Sequence, residues 1–320
     1  MASTFPNPPG FIRQYDPTQD SDVVLQLIME SFKLKDDPEG MHTLQRMREV
    51  AQQQRENIWL SPATTNMPGL VWEIDGKVVG NINIISFFDK LRHIALIANV
   101  AVSPEHQGQG IATALTKHAL RYLKSKRAYQ VWLQVSSDNV IAKNLYKKLG
   151  FEVVRTINNW VLKKGIWQKP TENYDLSNYR FGIRKFADWG WQKEQLLEAY
   201  PTDTRWYGNV EFNKFSPWAI LNILSWDEYS SLRHFTLKEQ GVIKGVISWQ
   251  YGLPRADALW LAFERTTAEN EQVYALTAEF LENHWKKRSI RLEYPFGRAE
   301  GALESLGFTL SRQLDWMKLH

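Results

Sequence analysis

The sequence predicts a mixed α/β (α+β) protein in which one fold occurs twice in tandem, and three observations lead to this prediction. Short β-prone runs alternate with segments of helical period. The length of 320 residues is about twice that of a typical single domain. The order of elements in the first half starts again after residue 177. With 43% hydrophobic and 23% charged residues, the composition is that of an ordinary globular protein.

The first half opens with alternating elements that lead to a buried strand. The dipeptide Asp75-Gly76 lies between two β-prone runs and predicts a hairpin. The run 93–102 is nearly all apolar, which indicates a strand buried on both faces. In order, we expect a strand at 11–15, a helix with Val24, Leu27, Ile28 and Phe32 on one side, a polar surface helix at 39–55, and strands at 69–74, 77–87 and 93–102.

The residue pattern in the remainder of the first half predicts two helices and three strands. Gly150 is a natural left-handed stop for the second of these helices. The stretch 164–177 has no periodicity and is predicted to be a linker. The expected elements are a helix at 110–124 with the face Ile111, Leu115, Ala119, Tyr122 and Leu123, a strand at 128–135, a helix at 140–149 with the face Ile141, Leu145 and Leu149, and strands at 151–156 and 159–163.

The second half repeats the strand starts and the turn glycines of the first. Phe181-Gly182-Ile183-Arg184 mirrors Phe11-Ile12-Arg13. The predicted hairpin at 235–250 carries two glycines 165 residues after Gly76 and Gly80. The matching order of elements and the matching glycine positions indicate an internal duplication. We therefore expect an N-terminal domain at 1–163, a linker at 164–177 and a C-terminal domain at 178–320.

Composition excludes several classes of protein. The absence of Cys excludes disulfides, thiol nucleophiles and thiolate metal sites. The His residues show no metal-ligand spacing, so no metal is expected. No apolar run approaches the ~18 residues of a membrane span, and the polar N-terminus does not resemble a signal peptide. With a net charge of only +4, we expect a cytoplasmic protein with neither a nucleic-acid nor a membrane partner.

One segment, 100–112, has the pattern of a chemical site. It combines a buried strand, a turn and a loop of small residues that opens a helix. Gly108, Gly110 and Ala112 have little or no side chain, so backbone N–H groups at the helix start can converge on an anion such as a diphosphate. The alternative at this point is an ordinary tight turn before a helix.

The same residues resemble a known family. Gln107-Gly108-Gln109-Gly110-Ile111-Ala112 is similar to the (Gln/Arg)-x-x-Gly-x-(Gly/Ala) loop of the GNAT superfamily of acyl-CoA N-acyltransferases. The run Asn139 to Phe151 resembles the family's Asn-x-x-Ala-x-x-Leu-Tyr-x-x-x-Gly-Phe signature. The resemblance covers about Phe11 to Lys163. It implies two tandem GNAT folds, each a mostly antiparallel mixed sheet flanked by helices, with a degenerate second copy.

The resemblance also implies a site for acetyl-CoA as cosubstrate. The loop and helix start would hold the pyrophosphate, the end of the preceding strand would pair with the pantetheine arm, and Asn139 would bind the arm from the other side. Lys117 and Lys143 are either partners of the ribose phosphate or simply solvated. The implied cofactor-binding residues are Val100, Ala101, Val102, Gln107, Gly108, Gln109, Gly110, Ile111, Ala112, Thr113 and Asn139.

The family's catalytic acid corresponds to Tyr146. A phenol with an ordinary pKa of about 10 is protonated at neutral pH and can donate to a departing thiolate. The alternative is a merely packed Tyr. No general base is visible, because the strand 93–102 offers only His93 and Asn99 as polar side chains. Either water removes the proton, or a carboxylate elsewhere does, the candidates being Glu30, Glu73 and Glu264.

The second half lacks the features of a coenzyme site. The stretch 259–270 contains no glycine, and Glu264 and Glu269 would repel a diphosphate. We therefore expect one coenzyme site per chain. Nine of the fourteen Trp residues lie in this half, where they either pack the core or line an acceptor pocket. Trp206-Tyr207 is the best candidate for the acceptor pocket.

These observations predict an N-acetyltransferase. The expected reaction transfers an acetyl or other short acyl group from acetyl-CoA to a primary amine by direct attack in a ternary complex. The acceptor would be a small-molecule or peptide amine. The alternative is a non-catalytic acyl-CoA-binding or sensing protein. Nicotinamide binding is disfavoured, because the loop lacks a third glycine and the preceding strand follows a hairpin.

Overall fold

The structure is a computed structural model that describes most of the chain. The described residues are 8–32, 48–49, 69–89, 92–165, 167, 176–200, 212–218, 231–253, 255–285 and 288–320. Within these ranges, no helix has the length and apolarity needed to cross a bilayer. The predicted helix at 39–55 lies almost entirely outside the described residues, and so does most of the predicted linker. Trp206 and Tyr207 both lie outside them.

Strands and helices alternate along both halves of the chain. Short 3₁₀ turns at Pro104–His106, Phe186–Asp188 and Phe212–Phe215 accompany them. In chain order the elements are β1 (Phe11–Gln14), α1 (Ser21–Ser31), β2 (Gly69–Ile74), β3 (Lys77–Asp89), β4 (Arg92–Val102), α2 (Ile111–Ser125), β5 (Gln130–Ser136), α3 (Val140–Lys148), β6 (Phe151–Leu162), β7 (Tyr179–Ile183), α4 (Trp189–Ala199), β8 (Leu232–Glu239), β9 (Val242–Gln250), β10 (Asp257–Phe263), α5 (Glu269–Asn283), β11 (Ile290–Pro295), α6 (Glu300–Ser305) and β12 (Thr309–Leu319).

The chain divides into two compact units that repeat one pattern of strand pairing. Unit 1 comprises 1–134, 140–152 and 317–320, and unit 2 comprises 135–139 and 153–316. In unit 1, β1 to β4 pair antiparallel and β4 pairs parallel with β5. In unit 2, β7 to β10 pair antiparallel and β10 pairs parallel with β11. The prediction of mixed α/β units with mostly antiparallel sheets is confirmed.

The predicted hairpins are present in both units, with the same turn geometry. Asp75 and Gly76 have φ of 49° and 75°, and Gln240 and Gly241 have φ of 49° and 83°. Two successive left-handed residues match the right-handed twist of the flanking strands, which is why Asp-Gly pairs favour this turn. The hairpin prediction at Asp75-Gly76 is confirmed.

Helix α2 packs on the sheet of unit 1 through the predicted face, with one exception. Ile111, Leu115, Ala119 and Leu123 are buried. Tyr122 is 36% exposed, and the Lys126 Nζ lies 5.6 Å from the centroid of its ring. The prediction that Tyr122 belongs to the buried face is wrong, because the stripe around the other four residues already covers the sheet.

The first half ends in one strand where two were expected. β6 runs from Phe151 to Leu162 without a break, since it contains neither Gly nor Pro. Its central Asn158 donates to Glu300 Oε1 (2.7 Å) and accepts from Gln313 Nε2 (2.9 Å), so a polar residue fits within the strand. β6 pairs with β11, and its residues 153–162 lie in unit 2. The predicted functional division of the chain at residue 163 remains a prediction.

Candidate functional site

The loop after β4 leaves an exposed row of backbone N–H groups at the start of α2. Gly108 and Gly110 are left-handed, with φ of 76° and 87°, and within the described ranges no heavy atom beyond the two chain neighbours lies within 4 Å of a Cβ built on either. The first helical bond is donated by Ala114 N to Gly110 O (2.9 Å). The amides of Ile111, Ala112 and Thr113 therefore have no intrahelical acceptor. A helix start of this kind attracts an anion.

Two glutamine side chains hold this loop in place. Gln107 donates from Nε2 to Val102 O (3.1 Å), and Gln109 donates from Nε2 to Glu105 O (3.3 Å). Both side chains thus bind the backbone that precedes the loop. The loop is fixed by its own neighbours, which leaves the glycine backbone open for a ligand.

The strand that leads into the loop has a free stretch of edge. β4 pairs with β5 from Ile94 to Ile97, and the described residues show no pair between these strands beyond Ile97 and Leu133. On its other side, β4 pairs with β3 as far as Val102. The backbone from 98 to 102 therefore presents one unpaired edge in unit 1, just before the glycine loop. An extended ligand can bind such an edge as an added strand.

Tyr146 lies on α3 in unit 1, and its side chain is buried. Its exposed fraction is 7%, and the ring meets Phe151 edge-on at a centroid distance of 6.0 Å. The hydroxyl has no hydrogen-bond partner among the described residues. Burial raises the pKa of the Tyr146 phenol above its ordinary value, so the group keeps its proton at neutral pH.

The burial of Tyr146 shows that the predicted buried face of α3 is wrong. Ile141, expected in the core, is 85% exposed, while Leu145 and Leu149 are only half-buried. The buried side is rotated by about one residue, roughly 100°. On a helix of nine residues, burying one large aromatic ring removes more apolar surface from water than burying Ile141 would.

Three further candidate ligand residues lie at exposed or half-buried positions. Asn139 is exposed directly before α3, and its backbone N–H donates to Ser136 O (3.0 Å). Lys117 on α2 is exposed, and Lys143 on α3 is half-buried. The short segment 135–139 that contains Asn139 belongs to unit 2, whereas the loop, β4 and Tyr146 belong to unit 1.

The candidate bases differ in how they are bound. The Glu73 carboxylate accepts a hydrogen bond from Arg13 Nε at 2.6 Å, so it is held in an ion pair. Glu30 is exposed and accepts from Gln26 Nε2 (2.9 Å), and Glu264 is exposed in unit 2. His93 lies 2.9 Å from the Ser86 hydroxyl. Among the described residues, no three His, Cys, Asp or Glu side chains cluster as metal ligands.

The helix start of unit 2 that corresponds to the glycine loop is closed by its own side chains. Glu269, the first residue of α5, is buried and accepts from Arg298 Nε (2.9 Å) and from the Tyr294 hydroxyl (2.8 Å). Arg298 also donates to Phe263 O (2.9 Å). A carboxylate therefore occupies the helix start where unit 1 leaves its amides open.

A buried cluster of amides beneath β4 was not anticipated from the sequence. Asn81 and Asn83 on β3 are 0% and 6% exposed, and both contact Asn99 on β4. The signal available was the alternation of polar residues at 81 and 83 within an otherwise apolar strand. Because buried amides need partners, such a pattern indicates a local polar network.

Comparison with known proteins identifies the class to which this site belongs. Residues 29–151 match the model of the Acetyltransferase (GNAT) family. The matched segment therefore corresponds to a GNAT-family acetyltransferase domain, and it includes β4, the glycine loop and Tyr146. The resemblance found in the sequence motifs is confirmed.

Individual relatives each match less than half of the chain. It is 38% identical over 95 residues to an uncharacterized N-acetyltransferase of Methanocaldococcus jannaschii, covering 28% of this chain and 42% of the relative. It is 30% identical over 145 residues to a mycothiol acetyltransferase of Acidothermus cellulolyticus, covering 44% of each. The chain thus spans less than half the length of either relative.

A solved structure shows the same fold over nearly the whole chain. The GCN5-related N-acetyltransferase from Sphaerobacter thermophilus superposes with a TM-score of 0.56 at 14% identity, over 96% of this chain and 94% of that one. At this identity the likeness concerns the fold alone.

Proposed function

We propose that this protein is an N-acetyltransferase that transfers an acetyl group from acetyl-CoA to a primary amine. The observation that carries the proposal is the helix start at 108–113, where two left-handed glycines leave open space beside amides that have no intrahelical acceptor. The free edge of β4 leads directly into this loop.

The residues present fit coenzyme A by the chemistry of their donors. The amides of Gln107 to Ala112 and the Thr113 helix turn would bind the pyrophosphate. The backbone of Val100, Ala101 and Val102 would pair with the amides of the pantetheine arm. When bound, acetyl-CoA supplies an activated thioester carbonyl.

Tyr146 provides the proton that the reaction consumes. The neutral acceptor nitrogen forms a bond to the thioester carbon and then loses one proton to water, and the carbon–sulfur bond breaks. The Tyr146 hydroxyl donates its proton to the sulfur that leaves, and solvent then reprotonates the phenolate. The raised pKa of Tyr146 keeps the donor protonated before the reaction.

Water is the acceptor of the ammonium proton in this proposal. β4 carries no carboxylate, Glu73 is held by Arg13, and Glu30 is bound to Gln26. A neutral amine formed by loss of a proton to water can attack without a protein base. The rate should then rise with pH until the acceptor amine itself is deprotonated.

The test is a screen of amines for free thiol release from acetyl-CoA. The panel should contain peptides with a free N-terminus, lysine peptides, amino sugars, polyamines and small amine metabolites. We expect at least one amine to raise thiol release well above the rate without amine, with the acetylated product visible by mass spectrometry. Binding of acetyl-CoA without turnover of any amine would instead favour the acyl-CoA-binding alternative.

A further inference from the structure

β4 contains a bulge where it leaves β5. Asn81 pairs with Ala101 and Asn83 pairs with Ala98, so two residues of β4 stand opposite one residue of β3. The first of these two, Asn99, has a φ of 52°, a left-handed conformation that is uncommon for a residue with a side chain. Bulges of this kind redirect a strand and its side chains.

A chain of amide hydrogen bonds ties this bulge to β3. Asn81 Nδ2 donates to Asn99 O (2.9 Å) and to Asn83 Oδ1 (3.0 Å). Asn99 Nδ2 donates to the same Asn83 Oδ1 (3.1 Å). The Asn81 side chain is therefore the bridge from β3 to the bulged carbonyl. We call these three residues the amide clamp.

The amide clamp is maintained at a cost. The Asn81 side chain is fully buried, and its Oδ1 has no hydrogen-bond partner in the described part of the chain. An unsatisfied buried acceptor and a left-handed asparagine are both unfavourable, and here they occur in contact. Features of this kind are retained where the surrounding geometry serves a function.

We propose that Asn81 is a positioning residue for the coenzyme arm. The amide clamp holds the bulge and so fixes the register of Val100 to Val102, the strand edge to which the proposed function assigns the pantetheine arm. A one-residue slip would turn each of these side chains to the opposite face and exchange the groups on the free edge. This inference rests on the proposed function.

The test compares two ligands that differ only in the arm. Acetyl-CoA reaches both the glycine loop and the β4 edge, whereas 3′-phosphoadenosine 5′-diphosphate reaches only the loop. For Asn81→Ala, calorimetry on the full chain should show acetyl-CoA affinity reduced at least tenfold. Affinity for 3′-phosphoadenosine 5′-diphosphate should stay within about twofold of wild type. A general loss of structure would weaken both ligands alike.

Two matched variants control this test. Asn158→Ala removes an equally buried amide from β6 and should leave both affinities unchanged, even where the melting temperature falls. Asn99→Gly retains the left-handed conformation and the carbonyl that Asn81 binds, so it should keep most of the acetyl-CoA affinity. Asn81→Ser serves as a second variant if Asn81→Ala does not fold.

The outcomes separate the inference from the proposed function. If wild-type protein fails to bind acetyl-CoA, the proposed function is wrong and the inference falls with it. If wild-type protein binds and the Asn81 variants bind acetyl-CoA equally well, only the inference is overturned. Equal losses for the two ligands would also overturn it, since they would show a structural role for Asn81.

Discussion

The Tyr146 hydroxyl is a polar group without a described partner on an otherwise buried side chain. Removing it leaves the packing of the ring on Phe151 intact. We therefore expect Tyr146→Phe to fold and to bind acetyl-CoA with unchanged affinity, while kcat falls by about 10² or more, a typical effect of losing a general acid. Stopped assays of amine acetylation and calorimetry measure the two quantities.

The dependence of kcat on pH is a second test of the role of Tyr146. Because burial raises the pKa of Tyr146, its proton should remain available well into the alkaline range. The kcat of wild-type protein should therefore not decline near pH 10, where an exposed phenol would lose its proton. An unchanged kcat in Tyr146→Phe would remove this residue from the mechanism.

In the proposed function, the left-handed Gly110 serves ligand approach rather than packing. Its φ is 87°, and among the described residues no atom beyond its two chain neighbours lies within 4 Å of an added Cβ. Gly110→Ala should lower the free energy of unfolding by about 1–2 kcal/mol, the cost of a left-handed L residue. Acetyl-CoA affinity should fall by more than tenfold, because the methyl group projects into the space reserved for the pyrophosphate.

Gly76→Ala is the matched control for this substitution. Gly76 is left-handed, with φ of 75° and equally open surroundings, but it lies in a hairpin turn. It should show the same loss of stability with no change in acetyl-CoA affinity. Similar affinities for the Gly110 and Gly76 variants would contradict the assignment of the loop.

At the scale of elements, helix α5 starts with a buried ion pair in place of an open anion site. Glu269 and Arg298 are 7% and 5% exposed at the side chain, and their closest approach is 2.9 Å. Arg298→Met would leave the carboxylate buried without its cation, so we expect a loss of about 3–5 kcal/mol in unfolding free energy. Denaturant titration measures it.

The exposed pair on the β8–β9 hairpin is the control. Lys244 and Glu239 are about a third exposed and 3.4 Å apart, so Lys244→Met should cost no more than about 1 kcal/mol. Equal losses for the two variants would show that the α5 ion pair has no special structural role.

Elements defined by local chemistry were predictable from the sequence, and the packing of elements was less so. The turn at Asp75-Gly76 follows from backbone preferences of adjacent residues. The predicted buried face of α3 was wrong. A short helix has two overlapping apolar stripes, and packing against neighbouring elements determines which of them is buried. The amide clamp was missed, since the residues that form it lie on two strands and their contacts depend on the register.

At the scale of the molecule, the same strand pairing occurs twice while the chemistry of the two helix starts differs. The repeated order was visible in the sequence because each turn and helix carries local signals. That residues 153–162 of β6 lie in unit 2 could not be predicted, because pairing between distant strands leaves no local pattern. The loss of glycine from 259–270 correctly indicated that the second helix start does not resemble the first.

The central claim is that the coenzyme binds at one place in each chain, the glycine loop of unit 1. Calorimetric titration of the full chain with acetyl-CoA tests it most directly. We expect one acetyl-CoA per chain, with that binding weakened by Gly110→Ala and unaffected by Arg298→Met in chains that remain folded. Two acetyl-CoA molecules per chain, or a single one whose affinity is unchanged in Gly110→Ala, would contradict the account.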